Sequence, residues 1–369
     1  MSRGRKRPPG SVSVAKRRLA LGLDIGSSSV KLVQLRDNKR SYALEAFGVA
    51  PLPPEAIVDG ALMNSTAIVE AIKQLVGQFK LKNREVAIGV SGHSVIIKKI
   101  SMPRMTQEEL EESIQWEAEQ YIPFDVKDVN IDVQILTGPE NDTGTGQMDV
   151  LLVAAKKDMI NDYTSVVAEA GLTPVVVDVD AFAVQNSFEI NYELSRTETV
   201  VLVNAGASVC NINVLANGLT TFTRDVTMGG NQFTEEIQKQ LNVSYDEAEK
   251  LKVGGDAARD SDSVIPQEVE RVIQGVADQM AGEIQRSLDF YTATAADSHI
   301  ARLYLAGGTA KIPALFKVIE QRVGVPVEIL NPFKGIEIDN RRFDPNYVLD
   351  VAPSAAVGVG LALRRSNER

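Results

Sequence analysis

Apolar residues follow two rhythms along this 369-residue chain. Short, largely apolar runs such as Val86–Val90 and Val175–Val179 have the length and β-branched content of buried strands. Elsewhere apolar positions return every three or four residues, as Ile68, Ile72, Leu75 and Val76 do within 64–79. Val269, Val272, Ile273, Val276, Met280, Ile284 and Leu288 do the same within 267–291, and this spacing puts each set on one helix face. Further helices are expected from 107 to about 121, over 158–170, from 180 to about 192, and over 231–241, 245–252, 313–323 and 352–363. Further strands are expected at 95–100, 129–136, 150–155, 219–226, 300–306 and 327–330. Local chemistry marks several ends. Thr106 and Glu109 have capping-box spacing, Met105 and Leu110 form a staple across that cap, and Pro123 stops the helix. Gly171 falls where 158–170 needs a C-terminal cap. The polar stretches 138–146 and 254–263 read as a turn and a mobile loop.

One strand–turn–strand unit occurs twice. Residues 19–33 run from Leu19 through Leu23 to Asp24-Ile25-Gly26, then three serines, then Val30-Lys31-Leu32-Val33. Gly26 permits a tight turn, and Ser27, Ser28 and Ser29 leave their amides accessible. Such a turn makes an anion-binding concavity, to which Lys31 adds a charge. Asp24, at the strand end, can hold a hydrated Mg²⁺, which takes one or two carboxylates plus phosphate oxygens. An ordinary hairpin with a serine-rich turn is the plainer reading. Residues 199–214 repeat the pattern, with Asn204 at the position of Asp24, Gly206 at Gly26, Ala207 beside it, and Ser208 at Ser28. Each copy continues into a third strand, 41–49 and 219–226. The duplication predicts two similar domains facing one nucleotide.

Composition narrows the setting. The net charge of −10 gives no sign of a global nucleic-acid binder, and no apolar run approaches the length of a spanning helix. The start of the chain is basic but lacks the apolar core of a signal peptide. Cys210 is the single cysteine, which excludes an internal disulfide framework and fits a reducing cytosol; it reads as buried packing. His93 and His299 offer no metal-site spacing, and His93 reads as a turn residue. Residues 1–18 carry seven basic groups and no acids, which predicts a disordered tail or a weak hold on anionic lipid.

With Leu305-Ala306-Gly307-Gly308-Thr309-Ala310, the two turns resemble the two phosphate motifs and the adenosine motif of the actin-like ATPases. Met102-Pro103 through Pro123-Phe124, and Ala352-Pro353-Ser354-Ala355-Ala356-Val357-Gly358, resemble the PilM family of type IV pilus assembly proteins, relatives of the division protein FtsA. The likeness spans roughly residues 18–365. It implies an α/β, actin-like (ribonuclease H-like) two-domain ATPase fold. Residues 19–102, 174–198 and 343–369 would form domain I (1A), 103–173 an inserted 1C subdomain, and 199–342 domain II (2A/2B). It also implies that ATP and Mg²⁺ are bound. Gly229 and Gly230 follow the second phosphate turn, Glu249 and Lys252 contact adenosine, and Gly307, Gly308, Thr309 and Ile312 complete that side. A surface ion pair is the alternative reading of Glu249 and Lys252. Asp180 would orient water near the γ-phosphate; equally, Asp178 and Asp180 would merely cap the helix that follows.

The resemblance further implies a partner, the cytoplasmic N-terminal segment of the inner-membrane protein PilN, held between the first domain and the insert. The resemblance leaves open contact with the motor ATPases and with a second copy of the chain. The protein would then be cytoplasmic, held at the inner membrane through PilN without inserting itself. Helix 107–121, with Trp116 and Tyr121, offers either part of a partner surface or a packed stripe. An FtsA-like division protein normally adds a C-terminal membrane helix, which residues 361–369 are too short and charged to supply. A small-molecule kinase would share the ATP cleft but needs a catalytic base beyond Asp180. A DnaK-like chaperone needs a further peptide-binding domain. The actin-like pattern has Asp where this chain has Asn204, so tight nucleotide binding with slow or absent hydrolysis is expected.

Overall fold

The computed structural model describes residues 18–136, 146–194, 197–253, 267–295 and 299–366. Residues 1–17, nearly all of the turn expected at 138–146, and the loop expected at 254–263 lie outside the described residues.

The chain opens as an antiparallel meander of β1 (Leu21–Ile25), β2 (Ser29–Asp37) and β3 (Tyr42–Pro51). A short pair, β4 (Ile57–Val58) and β5 (Ala61–Leu62), leads to α1 (Ser65–Phe79), which Asn64 caps by accepting the Ala67 amide. The buried face of α1 is the expected Ile68, Ile72, Leu75 and Val76 stripe. β6 (Glu85–Val90) then lies parallel to β1.

From here the chain leaves the sheet. β7 (Val95–Pro103), α2 (Gln107–Glu117), β8 (Val129–Ile135) and β9 (Gln147–Lys156) build a separate three-stranded antiparallel sheet in the order β7-β9-β8. Its core joins Met102, Leu110, Ile114, Ala118, Val133 and Leu152. The capping box at Thr106 and Glu109 forms, with both hydrogen bonds present. α2 ends at Glu117 and tightens to a 3₁₀ turn over 118–120, short of the expected Tyr121.

The chain returns through α3 (Lys157–Glu169), β10 (Thr173–Val179), parallel to β6, and α4 (Asp180–Glu189). Met159, Tyr163, Val166 and Val167 of α3 pack into the same core as α1. The inserted sheet therefore starts at Val95, and α3 packs with the first half rather than with the 103–173 insert.

The second half repeats this plan. β11 (Thr199–Ala205), β12 (Cys210–Ala216) and β13 (Leu219–Val226) form a second meander. α5 (Gly230–Leu241), α6 (Tyr245–Lys252) and α7 (Gln267–Thr294) follow, then β14 (Ile300–Ala306), α8 (Pro313–Val323) and β15 (Val327–Ile329). The order β13-β12-β11-β14-β15 matches β3-β2-β1-β6-β10 strand for strand. β16 (Ile336–Glu337) then crosses back to pair parallel with β3, so this stretch extends the first sheet although its sequence position falls before 343.

α9 (Pro345–Val351), a 3₁₀ turn over 352–355 containing Pro353, and α10 (Ala356–Ala362) close the described chain. α10 lies in a seam of small residues against β1 and α4. A side chain at Gly22 would overlap the Gly358 carbonyl oxygen, and one at Gly360 would overlap the backbone of Ala183. The backbones are thus closer here than any larger residue permits. Among the described residues, no helix is long and apolar enough to cross a membrane.

Candidate functional site

A cleft of about 980 Å³ runs between the two halves, within the range of small-molecule sites. Both repeated turns line it. In the first, the Gly26 amide donates to the Ser29 carbonyl oxygen at 3.2 Å; in the second, Gly206 donates to Val209 at 2.9 Å. The same three-residue closure shapes both, so the repeat legible in the sequence is also a repeat of backbone geometry. Gly26, Ser27, Ser28 and Ser29 from one side, and Gly206, Ala207 and Ser208 from the other, face the cleft.

The residues flanking each turn sit in the same cross-strand register, Asp24 opposite Lys31 and Asn204 opposite Asn211. Asp24 and Lys31 form an ion pair of 3.2 Å whose side chains are 11% and 14% exposed. Asn204 donates through Nδ2 to Asn211 Oδ1 at 2.9 Å, and Asn211 donates through Nδ2 to Asp225 Oδ1 at 2.8 Å. Asp24, Lys31, Asn204 and Asn211 line the cleft, and Asp225 lies behind them.

The second turn is propped from behind. The Gly230 amide donates to the Gly206 oxygen and the Asn231 amide to the Ala207 oxygen, at 3.0 and 2.8 Å, while the Thr309 hydroxyl donates to the same Gly206 oxygen at 2.7 Å. Gly229 is packed against this turn and does not line the cleft. The Glu249–Lys252 pair lies 2.7 Å apart, and the Lys252 side chain is only 9% exposed. Its ammonium also donates to Thr234 Oγ1 at 2.9 Å and to the Gly230 oxygen at 3.2 Å. It is therefore built into the start of α5 and is not a loose surface pair. Gly307, at φ +90, rests directly on the Ala205 backbone and donates its amide to the Pro353 oxygen at 2.7 Å. Only glycine can both take that φ and stand that close. Gly308 opens onto the cleft, and Ile312 closes its floor as the residue before α8.

Asp180 stands at the first turn of α4 and caps nothing. Its Oδ2 accepts the Ser91 hydroxyl at 2.7 Å, and it lies against Gly89, where a side chain would collide with it. Burial and the neighbouring Asp24 carboxylate push its carboxyl up to about 7, against the pull of the Ser91 hydrogen bond. Asp178 Oδ1 accepts the Val179 amide, and its carboxylate pairs with Arg364. Among the described residues no group of three or more acids, histidines or cysteines could by itself hold a metal. Asp24 nevertheless fits a phosphate-bound Mg²⁺, because it is one cleft-facing carboxylate of the kind such an ion needs beside phosphate oxygens.

Several lining residues lie outside the sequence expectation. Tyr163 reads as part of α3's apolar stripe, yet it reaches the cleft beside Asp180, where burial and the two aspartates raise its phenol pKa. Ser91 sits in what reads as a simple turn. Asn211 carries a usable signal, since an amide within the apolar run 210–214 demands a partner. Trp116 is 85% exposed, so it is outside the packed stripe of α2, whereas Leu110, Ile114 and Ala118 are within it.

A family model described as type IV pilus assembly protein PilM matches residues 22–366. A solved PilM-PilN type IV pilus biogenesis complex contains a chain 30% identical to this one, with TM-score 0.83, covering 94% of this chain and 98% of that one. The ethanolamine utilization protein EutJ of Carboxydothermus hydrogenoformans superposes with TM-score 0.55 at 16% identity, over 93% and 89% of the two chains. The cell division protein FtsA of Neisseria meningitidis is 23% identical over 336 residues, 84% of this chain and 75% of its own length. The architecture is thus the two-halved actin-like α/β fold.

Proposed function

Because the chain belongs to the type IV pilus assembly protein PilM family, we propose that it is a nucleotide-binding adaptor of the pilus assembly machine. One observation carries the nucleotide reading: two turns of the same closure, one from each half, line a single cleft. Amides of Ser27, Ser28 and Ser29 on one side, and of Gly206, Ala207 and Ser208 on the other, clasp the phosphates, with Lys31 adding charge. Mg²⁺, held by Asp24 and phosphate oxygens, would supply charge neutralisation. Glu249, Lys252, Gly307, Gly308, Thr309 and Ile312 surround adenosine, and Gly229 and Gly230 hold the second turn in shape.

Hydrolysis is slow or absent. Asn204 offers a neutral amide, already engaged by Asn211, where a carboxylate would order water. Asp180 is the candidate for orienting the attacking water, and its raised pKa leaves it partly protonated near neutrality. The partner is the cytoplasmic N-terminal segment of PilN, seated between the first half and the inserted sheet; a similar chain solved in a PilM-PilN complex supports PilN as the partner. PilN then holds the protein at the inner membrane from the cytoplasmic side. ATP acts by having different affinities in two arrangements of the halves, which shifts their populations.

The test is binding of a fluorescent PilN N-terminal peptide, with and without MgATP, to the wild type and to Asp24→Ala. Saturable binding that depends on nucleotide and weakens in the variant supports the adaptor. Binding indifferent to both makes ATP structural, and no binding removes PilN as the partner.

A further inference from the structure

The four residues Ser91–Ser94 join β6 of the first sheet to β7, the first strand of the inserted sheet, so they are the root from which the insert grows. This short link is bonded in two directions. Ser91 holds Asp180 of the first half at 2.7 Å. The Gly92 amide donates to Asp225 Oδ2 of the second half at 2.6 Å, and His93 Nε2 meets the Thr227 hydroxyl at 2.8 Å. Gly92 adopts φ +85, which lets its amide reach across. β13 itself runs beside β7. The other oxygen of Asp225 accepts from Asn211, which accepts from Asn204 beside the second turn. An unbroken line of hydrogen bonds therefore runs from the cleft, through Asn204, Asn211 and Asp225, to the root of the insert.

We propose that this line is an interdomain latch: Asp225 and Thr227 pin the insert's root to the second half while the second turn is empty, and a phosphate on that turn loosens the pin. The supply of hydrogen-bond donors couples the two ends of the line. Asn211 is almost fully buried at 3% exposure, so its Oδ1 requires a partner. A phosphate oxygen at the second turn competes for the Asn204 amide that now supplies it. Asn211 must then re-pair, and its own amide is drawn from Asp225, leaving Gly92 held by a less constrained carboxylate. Clasping of phosphates by the two turns and release of the insert's root are compatible, because they use different contacts. Asp225 is a positioning residue here, acting through Gly92 and touching no ligand. The nucleotide half of this device rests on the reading of the cleft given above; the latch itself does not.

The test places spin labels on Glu112→Cys, exposed on α2, and Lys239→Cys, exposed on α5, and measures their distance distribution. Native Cys210 is buried and leaves the labelling clean. Without nucleotide, the latch gives a narrow distribution in the wild-type background and one about twice as broad in Asp225→Ala. Thr227→Val, which removes one exposed hydroxyl and little else, gives a smaller broadening and guards against a folding defect in the first variant. Widths equal to wild type in both variants overturn the latch. Binding of fluorescent ATP is read in parallel. Saturating MgATP broadens the wild type and adds little to Asp225→Ala; bound MgATP that leaves the wild type narrow overturns the relay. If ATP does not bind, the cleft reading falls, and the nucleotide-free widths still decide the latch.

Discussion

The two strand-turn-strand units are nearly the same backbone carrying different chemistry. In each, a glycine amide closes the turn onto the residue three further on, and the flanking strands pair residues seven apart. In the first unit that pair is Asp24 and Lys31, an ion pair enclosed in the cleft wall. In the second it is Asn204 and Asn211, two amides whose hydrogen bonds lead away to Asp225. The shape is set by glycine and turn closure, and the task is set by two side chains. A charged pair presents a carboxylate and an ammonium, the groups that a cation and a phosphate would need. An amide pair, having both a donor and an acceptor on each side chain, can extend a line of hydrogen bonds.

Four changes break or sharpen this contrast. Asp24→Asn makes the first pair neutral like the second and leaves Lys31 enclosed without its counter-charge. Removing one partner of a buried pair costs about 3–5 kcal/mol, so thermal unfolding should fall by several degrees, and MgATP titration should show loss of nearly all affinity. Wild-type affinity in that variant would refute the role of Asp24. Asn204→Asp gives the second turn the carboxylate that the first has. Steady-state phosphate release should rise by about tenfold, while ATP affinity changes little; unchanged turnover would trace slow hydrolysis elsewhere. Lys252→Met removes a prop that the first turn does not have. Losing its hydrogen bonds to Gly230 and Thr234 should weaken ATP about fivefold, corresponding to about 1 kcal/mol, with the peptide affinity in the absence of nucleotide preserved.

The fourth change concerns a pH dependence centred on Asp180, which is flanked by Asp24 of the first half and Asp225 of the second. The Asp180 carboxyl is raised from 3.8 to about 7, so the folded state keeps a proton that the unfolded chain has released between those values. Its contribution to stability is complete below the lower value and is lost as pH rises through the upper one. Asp180→Asn cannot titrate. Wild-type Tm relative to that variant should therefore decline from pH 5 to pH 8 in buffered melting curves, and a constant difference would contradict the raised pKa.

The paired turns were readable because their determinants are local: Gly26 and Gly206, small neighbours, and flanking apolar runs. Lys252 and Thr309 were readable only through resemblance to a family, since nothing in 245–252 or 305–310 announces that they meet at the start of α5. Tyr163 hid in an apolar stripe because its ring packs in the core while the residue still lines the cleft. The insert's limits were obscured for a related reason. β7 and α3 have ordinary strand and helix patterns, and only pairing with β9 and packing against α1 assign each to its layer. β16, with two paired residues, is too short to leave a periodic trace.

The seam that holds α10 has a consequence for how the molecule is made. β1 leaves the ribosome ahead of the other strands and helices described above, yet the helix that covers it spans 356–362, more than 300 residues later. Gly22 stands directly against the backbone of Gly358 and Ala362, and Gly360 against that of Ala183, so the helix is seated at backbone contact with both β1 and α4. The second half, continuous from β11 to β15, can complete its sheet while the first still waits. Vectorial synthesis thus runs against the order of assembly: the half that emerges first is finished last, and until then its central strand is a surface for chaperones to guard.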